Sequence, residues 1–293
     1  MQSHSDDQAS GGFAVRGAYG STLVFVVYAA AMELKGAKVL VTGASRGIGE
    51  SIARQMADAG AKVAVAARSA DALSSLASSI GGRAFAVDLT DASAVTALIP
   101  RVEDEFGPID VLVNNAGLES IAPLDMETDA SIRAVTRLNL EAPMVLTRHV
   151  LGGMKARGTG HIVFTSSLAG SAPFPAMSVY CATKAGLNNF VAAVRLELRG
   201  TAIGTTLVAP GPVDTSMWDR LEGEGHLDDV LKRYRMLQLI PKRSPDYIAK
   251  RTVAAVAANR RHVRTPRRLS AVFWLSESPR RLNELILKGA MHK

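Results

Sequence analysis

Short apolar runs alternate with longer amphipathic segments along most of this chain. The apolar runs have the length and residue types of buried strands, and they lie at 38–42, 62–67, 84–87, 111–113, 161–165 and 262–264. The intervening segments predict one helix that ends before Gly60 and others over 71–79, 91–105, 128–157, 182–198 and 244–258. Pro143 is expected to kink the longest of them. Strands separated by such helices require right-handed crossovers, which predicts an α/β fold with one doubly wound parallel sheet flanked by helices.

The length and composition fit a single domain with an extension at each end. At 293 residues, 47% of them hydrophobic and 21% charged, the chain can bury one full core of the α/β size class. The apolar run at 22–32 is shorter than the roughly 20 residues that span a membrane. Asp6 and Asp7 precede it, which argues against a signal peptide. We therefore expect a poorly ordered extension over 1–31, a domain over 32–265 and a C-terminal extension over 266–293.

The positive charge is concentrated near the C-terminus. Residues 260–293 carry nine Lys or Arg against two Glu, which equals the net charge of +7 and leaves the rest of the chain neutral. Because no basic stripe with aromatic platforms and no reading helix accompanies this charge, we expect no nucleic-acid partner. The same tail mixes apolar and Arg positions. It fits either peripheral contact with an anionic membrane surface or a subunit-packing arm.

The number of cysteines limits the possible disulfides and metal sites and indicates the cellular compartment. The single cysteine, Cys181, excludes an internal disulfide and a cysteine-based zinc cluster, and we predict no metal site. A chain of this kind fits a reducing compartment, so we expect a cytoplasmic protein.

A glycine-rich turn follows the first strand. Gly43, Gly47 and Gly49 lie between the strand at 38–42 and the helix after it, and a second strand follows at 62–67. Glycines allow positive φ and let backbone N–H groups approach a pyrophosphate at the positive end of a helix. In the order strand, turn, helix, strand, this pattern predicts dinucleotide binding by a Rossmann-type domain.

The end of the second strand indicates which dinucleotide binds. An NAD site places a carboxylate there for the ribose 2′-hydroxyl, whereas an NADP site needs cations for the 2′-phosphate. Arg68 follows this strand, and Arg46 lies inside the glycine turn. Two guanidinium groups can converge on one phosphate, so we predict NADP(H), although two solvated surface arginines would give the same pattern.

Small and polar residues follow two further strands. Ligands of such sheets lie beyond the carboxyl ends of the strands, where we expect Asp88 and Leu89 near an adenine and Asn115, Ala116 and Gly117 against the cofactor. Taken singly, each of these residues also fits ordinary turn chemistry.

A hydroxyl, a phenol and an amine lie close together in sequence. Ser167 follows the strand at 161–165, and Tyr180 and Lys184 are spaced to share one face of a helix. We expect the ammonium to lower the phenol pKa from about 10, so that Tyr180 exchanges a proton near neutral pH. An ordinary pair on a helix surface is the alternative. Asn139, between two leucines of a helix, fits either a satisfied core amide or the holder of a water that connects Lys184 to solvent.

These motifs together resemble the classical short-chain dehydrogenases/reductases. The resemblance runs in order and with family spacing over about 32–215, and it rests on Thr42-Gly43-x-x-x-Gly47-x-Gly49, Asn114-Asn115-Ala116-Gly117, Asn139, Ser166-Ser167-x-Ala169-Gly170, Tyr180-x-x-x-Lys184 and Pro210-Gly211-x-Val213-x-Thr215.

The resemblance implies a catalytic tetrad and a cofactor site. Ser167 would bind the substrate oxygen, Tyr180 would transfer the proton, Lys184 would lower the tyrosine pKa and bind the nicotinamide ribose, and Asn139 would hold the relay water. The implied cofactor residues are Gly43, Ser45, Arg46, Gly47, Ile48, Gly49, Arg68, Asp88, Leu89, Asn115, Ala116, Gly117, Tyr180, Lys184, Pro210, Gly211, Val213 and Thr215, of which Val213 and Thr215 would fix the carboxamide.

The sequence also predicts a substrate region beyond Thr215. Apolar residues including Trp218 recur over 214–243, which fits either a lid over a lipophilic carbonyl or alcohol substrate or an ordinary helix pair on the sheet. We expect an NADP-dependent, homo-oligomeric oxidoreductase that acts on a small molecule, with Ser167 and Trp218 contacting the substrate. A dinucleotide-binding scaffold or redox sensor that docks through its basic tail is the alternative.

Overall fold

A computed structural model of the chain describes residues 31–215 and 241–266, together with Met236 and Ser278. Within these residues seven parallel strands form one sheet in the order β3-β2-β1-β4-β5-β6-β7. The strands are β1 Lys38–Thr42, β2 Lys62–Ala67, β3 Arg83–Ala86, β4 Val111–Asn114, β5 Gly160–Thr165, β6 Ile203–Ala209 and β7 His262–Arg264. The sequence pattern had singled out all of them except β6.

Helices cover both faces of this sheet. They are α1 Gly47–Asp58, α2 Ala70–Ile80, α3 Ala92–Phe106, α4 Asp129–Thr136, α5 Ala142–Arg157, α6 Ser178–Glu197 and α7 Pro245–Ala257. Side chains alternate along each strand, so Val39 and Val41 pack with α1, α2 and α7, whereas Leu40 packs with α3, α5 and α6. The predicted α/β class, with one doubly wound parallel sheet between helices, is confirmed.

The predicted helical stretch over 128–157 is present from 129 to 157, but a π turn interrupts its α-helical geometry. Helix α4 ends at Thr136, a π turn covers Arg137–Glu141, and α5 begins at Ala142. Pro143 lies in the first turn of α5 and has no N–H to donate to the carbonyl of Asn139 four residues earlier. The irregularity therefore falls at Asn139 rather than at the proline itself.

The strand order reverses between β1 and β4. From β1 the chain adds β2 and β3 on one side of the sheet, and from β4 it adds β5, β6 and β7 on the other side. In open parallel sheets the crevice at the carboxyl ends of such a pair is where ligands bind. The sequence motifs follow β1, β4 and β5, and the fold therefore brings them to one edge of the sheet.

The described part of the chain includes little of the two predicted extensions. The Met32 N–H donates to the Ala257 carbonyl at 3.0 Å, which ties the start of the domain to α7. Residues 1–30, 267–277 and 279–293 lie outside the described residues, as does most of the segment 214–243. In the described ranges, no helix combines the length and the apolar character needed to cross a membrane.

Candidate active site

The glycine turn between β1 and α1 packs tightly against the loop after β4. Gly43 and Gly47 have φ of +64° and +60°, in the left-handed region that favours glycine. A Cβ on Gly43 would lie 2.7 Å from the Cα of Ala116, and one on Gly49 would lie 2.3 Å from the Gly43 carbonyl oxygen. Side chains at these two positions would push the turn off its neighbours.

Thr42 and Asn115 hold the turn to that loop. The buried Thr42 hydroxyl donates to the Val113 carbonyl at 3.1 Å and accepts from the N–H groups of Asn115 at 3.0 Å and Ala116 at 3.2 Å. The Asn115 amide in turn donates to the carbonyls of Thr42 at 3.1 Å and Gly43 at 3.3 Å. The side chain of Asn115, expected against a cofactor, thus stabilises the turn that would bind one. The position of Thr42 in the sequence does not indicate this role, because its hydrogen-bond partners lie more than 70 residues away.

The start of α1 has the features of an anion site. Its N-cap residue, Arg46, makes no side-chain hydrogen bond to the helix, so the first N–H groups have no cap from that residue. The Arg46 and Arg68 side chains are both exposed, and Ser45 and Ile48 are half-buried. These features fit the phosphates of a dinucleotide.

Asp88 and Leu89 lie one strand further along the sheet. The exposed Asp88 carboxylate accepts from the Thr90 N–H at 2.9 Å and the Thr90 hydroxyl at 2.8 Å. These bonds, with a smaller contribution from the charge of Arg68, lower the pKa of Asp88. Leu89 is buried in the core, so only its backbone can face a ligand.

Ser167, Tyr180 and Lys184 meet beyond the carboxyl end of β5. Helix α6 begins four residues earlier than predicted, so that Tyr180 lies in its first turn and Lys184 one turn later. The Lys184 ammonium lies 5.6 Å from the Tyr180 ring centroid and donates to the Thr165 carbonyl at 3.0 Å. Ser167 forms a hydrogen bond with the Tyr180 phenol. The three predicted catalytic side chains therefore lie together, with Tyr180 next to both Ser167 and Lys184.

The two adjacent serines have different surroundings. Ser166 is buried, and its hydroxyl donates to the Asn188 side-chain oxygen at 2.6 Å. Asn188 then donates to the Gly170 carbonyl at 3.0 Å. Ser167 is only half-buried and faces Tyr180. Ser166 thus fixes the chain after β5, whereas the Ser167 hydroxyl lies next to the Tyr180 phenol.

The expected lowering of the Tyr180 pKa is wrong. Burial raises the pKa of Tyr180 to about 12, and the hydrogen bond with Ser167 opposes this only in part. Burial also lowers the pKa of Lys184 to about 8. Desolvation of the phenol outweighs a cation 5.6 Å from its ring centroid. Near neutral pH, Tyr180 is therefore protonated and available as a proton donor.

The π turn places Asn139 beside these residues. Its buried amide nitrogen donates to the Leu118 carbonyl at 2.7 Å and to the Thr183 hydroxyl at 3.2 Å, and its oxygen accepts from the Leu118 N–H at 2.8 Å. A Cβ on Gly117 would lie 3.3 Å from that oxygen and 3.5 Å from the Lys184 ammonium. The side chain is thus a satisfied core amide.

The segment after β6 contacts both the glycine turn and the residues that follow β5. The Pro210 carbonyl accepts from the Leu168 N–H at 2.9 Å, and the Gly211 N–H donates to the Thr265 carbonyl at 2.8 Å. Val213 pairs with Arg243, and the Thr215 methyl group lies 3.3 Å from the Cβ position of Gly47. Trp218, predicted to contact substrate, lies outside the described residues.

Two features next to Tyr180 were not predicted from the sequence. Ile121, Phe174 and Met177 form an apolar wall with the Tyr180 ring. Glu119 lies close enough for its charge to act on the phenol. The only signal in the sequence is an acidic residue two positions after Gly117, in a loop that has no periodicity. Within the described ranges, no three His, Cys, Asp or Glu are placed to hold a metal.

The reversal of the strand order between β1 and β4 and the glycine turn between β1 and α1 define a Rossmann-type domain. Residues 37–224 match the model of the short chain dehydrogenase family, and the chain belongs to that family. It is 42% identical over 185 residues to the ketoacyl reductase HetN of Nostoc sp., covering 61% of this chain and 64% of HetN. It is 36% identical over 192 residues to a short chain dehydrogenase of Pseudocercospora fijiensis, covering 63% and 62%. The chain thus spans just under two thirds of the length of these two relatives.

A solved structure extends the similarity to three dimensions. The crystal structure of a metagenomic short-chain oxidoreductase in complex with NADP is 33% identical and superposes with a TM-score of 0.65. The match covers 79% of this chain and 97% of that one.

Proposed function

We propose that this protein is an NADP(H)-dependent oxidoreductase that interconverts a carbonyl compound and a secondary alcohol. The observation that carries the proposal is the meeting of Ser167, Tyr180 and Lys184 at the carboxyl end of β5, next to the crevice between β1 and β4. Membership of a family of dehydrogenases supports the reaction class.

The cofactor residues act through charge and backbone. The N–H groups at the start of α1 bind the pyrophosphate, and Arg46 and Arg68 bind the 2′-phosphate. When bound, the nicotinamide supplies or accepts a hydride. The NADP complex of the metagenomic relative supports the choice of dinucleotide.

The chain's own residues transfer the proton. In the reduction, Ser167 and Tyr180 hydrogen-bond the carbonyl oxygen, and Tyr180 gives that oxygen its proton as the carbon receives the hydride. The Lys184 ammonium then stabilises the phenolate, and a water on the main-chain carbonyl of Asn139 returns a proton through Lys184. Oxidation of the alcohol runs through the same positions in reverse.

The substrate that we propose is lipophilic. The apolar wall of Ile121, Phe174 and Met177 beside the Tyr180 ring supports a substrate with a bulky apolar part. We further propose that the domain extends over 32–265, that Trp218 in the segment 214–243 contacts this substrate, and that the chain works as a homo-oligomer. The tail after 265 then contacts a subunit or a membrane surface.

The variant Y180F tests the proposal. It keeps the ring and removes the proton donor, so we expect unchanged NADPH binding and a fall in kcat of about 10²- to 10⁴-fold. Binding is measured by fluorescence titration and turnover by NADPH oxidation over a panel of ketones. Y247F is the matched control, because Tyr247 lies on α7 between two arginines, and it should retain full turnover. Full turnover in Y180F would refute the proposed role, and wild-type protein that binds NADPH without any turnover would favour the scaffold.

A further inference from the structure

The turn before α6 contains an alanine whose backbone is left-handed. Ala176 has a φ of +55°, and Asn259 is the only other non-glycine residue with a positive φ in the described part of the chain. Asparagine adopts this conformation more readily than alanine, whose Cβ crowds the backbone there. Ala176 follows Pro175, and a proline before a left-handed residue is the arrangement of a type II turn, which favours glycine at the left-handed position. The alanine is therefore strained.

A hydrogen bond explains the conformation of Ala176 but not its side chain. The Ala176 carbonyl accepts from the Ala122 N–H at 2.9 Å, which ties the turn to the loop between β4 and α4. Glycine would present the same carbonyl in the same conformation without strain. The methyl group of Ala176 therefore needs an explanation of its own.

That methyl group lies at the candidate active site. The Ala176 side chain packs against the cluster of Ala169, Met177 and Tyr180, and it thereby adjoins the apolar wall, of which Met177 is a part. Tyr180 follows four residues later, in the first turn of α6. Ala176 is half-buried, so part of its surface stays accessible to a bound molecule.

Strain of this kind is typical of binding and catalytic sites. A strained residue persists where its surroundings fix it, and here the bond from Ala122 does so. In the proposed reaction the carbonyl oxygen of the substrate contacts Tyr180 and Ser167. The two carbon atoms bonded to that carbonyl therefore lie close to the cluster around the Tyr180 ring. A methyl group beside them reduces the room for a branch.

We propose that Ala176 is a specificity-determining residue, whose methyl group excludes substrates that are branched at the carbon next to the reacting carbonyl. The strain at this position is retained because the methyl group narrows the site. This inference rests on the proposed function and deepens it, since it names the substrate class: apolar carbonyl compounds with an unbranched carbon next to the carbonyl.

The test uses symmetric ketones, because either orientation then presents the same group to Ala176. Diethyl ketone and dibenzyl ketone are each compared with the analogue that carries one additional methyl group on each carbon next to the carbonyl. The branched ketones are less reactive in themselves, so the measured quantity is the change between variants in the ratio of kcat/KM, branched over unbranched, with NADPH. In A176G we expect this ratio to rise about tenfold or more, an effect typical of one methyl group in a tight apolar pocket.

A conservative variant and a matched control accompany A176G. A176S keeps the Cβ and should keep the wild-type ratio within about threefold. A172G removes a methyl group from the same segment, where Ala172 is half-buried, has a negative φ and donates its N–H to the Leu168 carbonyl at 3.0 Å. It should leave the ratio unchanged.

Stability supplies a second readout, in which the two glycine variants should differ in sign. Because glycine adopts a positive φ without strain, A176G should have a urea midpoint at least as high as that of the wild type. A172G gains no such relief, and its midpoint should fall. A merely structural methyl group at Ala176 would instead lower the midpoint when removed and leave the ratio of kcat/KM unchanged.

Several results would overturn the inference while leaving the proposed function intact. They are a wild-type ratio in A176G, an equal loss on all ketones in A176G, a urea midpoint of A176G below that of the wild type, and a wild-type enzyme that reduces other ketones but neither unbranched one. A wild-type protein that binds NADPH and reduces none of a wider ketone panel would overturn the proposed function as well.

Discussion

Arg46 and Arg68 follow two neighbouring strands at the same edge of the sheet. Arg46 ends the glycine turn after β1, and Arg68 directly follows β2, which pairs with β1 in parallel register. Both side chains are exposed, so neither is committed to the core. No carboxylate occupies the position of Arg68, where an NAD site needs one for the ribose hydroxyl.

Substitution of these arginines should change the cofactor preference. In R46S and in R68S we expect the Kd for NADPH to rise about 10- to 100-fold, because each variant loses a charge-assisted hydrogen bond, and the Kd for NADH to change by less than about threefold. Fluorescence titration with both cofactors measures this. R54S is the control on α1, where Arg54 binds Glu50 and Ser79 instead. Equal losses for both cofactors would contradict the assignment.

At the residue scale, the sequence predicts where the candidate catalytic residues lie better than it predicts which groups surround them. Spacing, together with the glycine turn and the family resemblance, indicated Ser167, Tyr180 and Lys184, because a strand end and one helical turn fix where they lie. The predicted direction of the Tyr180 pKa shift was wrong, because the shift depends on burial of the ring, to which residues distant in sequence such as Ile121 contribute. The sequence did not indicate Glu119, because the effect of its charge on the Tyr180 phenol depends on how the fold brings the two residues together.

Thr42 joins two strands through one buried hydroxyl. It donates one hydrogen bond and accepts two, and it thereby connects the end of β1 to the loop after β4. The glycine turn and the loop that carries Gly117 therefore share a single buried side chain.

Loss of that hydroxyl should destabilise the domain. T42V keeps the shape but leaves the Asn115 and Ala116 N–H groups without their acceptor, which should lower the free energy of unfolding by about 3 kcal/mol. T42S keeps the hydroxyl and should lose only about 1 kcal/mol for the missing methyl. Urea unfolding followed by circular dichroism measures both. A loss in T42S as large as that in T42V would assign the effect to packing instead.

At the element scale, regular patterns were predicted and irregular ones were not. The bounds of β1 and β2 agree to the residue, because each is a short apolar run between turn residues. Strand β6 was not singled out, since its sequence Ile203–Ala209 mixes Gly and Thr with apolar residues. The π turn was missed because the proline that accompanies it also fits a simple kink.

At the scale of the whole molecule, a buried histidine lies at the amino ends of the strands, on the far side of the sheet from the candidate active site. His161 lies near the amino end of β5, and its Nε2 is 2.8 Å from the Thr206 hydroxyl. Burial, with a smaller contribution from the charge of Arg195, lowers the pKa of His161 to about 4. The folded protein thus holds this ring neutral at pH values where an unfolded chain protonates it.

This histidine should make the domain sensitive to acid. Its contribution to stability is present above pH 6.5, the ordinary value, and is lost as the pH falls from there toward 4. The full loss is about 3 kcal/mol. We expect the unfolding free energy of H161Q to fall less over this range than that of the wild type. H149Q, at a half-buried position on α5, should follow the wild type. Parallel pH curves for H161Q and the wild type would contradict the assignment.

At the scale of the whole chain, the alternation of strands and helices was enough to predict the parallel doubly wound sheet. The alternation fixes the connections, and the connections leave few arrangements. The tail and the segment 214–243 have no such regularity, so their predicted roles in docking and substrate contact stay predictions.

Because of the π turn at Arg137–Glu141, the number of residues in this helical stretch determines which side chains face the core. A π turn is equivalent to one residue inserted into an α-helix, and each residue of an α-helix advances the helix by about 100°. The inserted residue thus sets the phase of α4 independently of α5. Deletion of one residue there would restore a regular helix, but it would turn the buried Val135 away from the core or shift Asn139 off Leu118. Relatives that vary in length can therefore be expected to vary elsewhere than in these five residues.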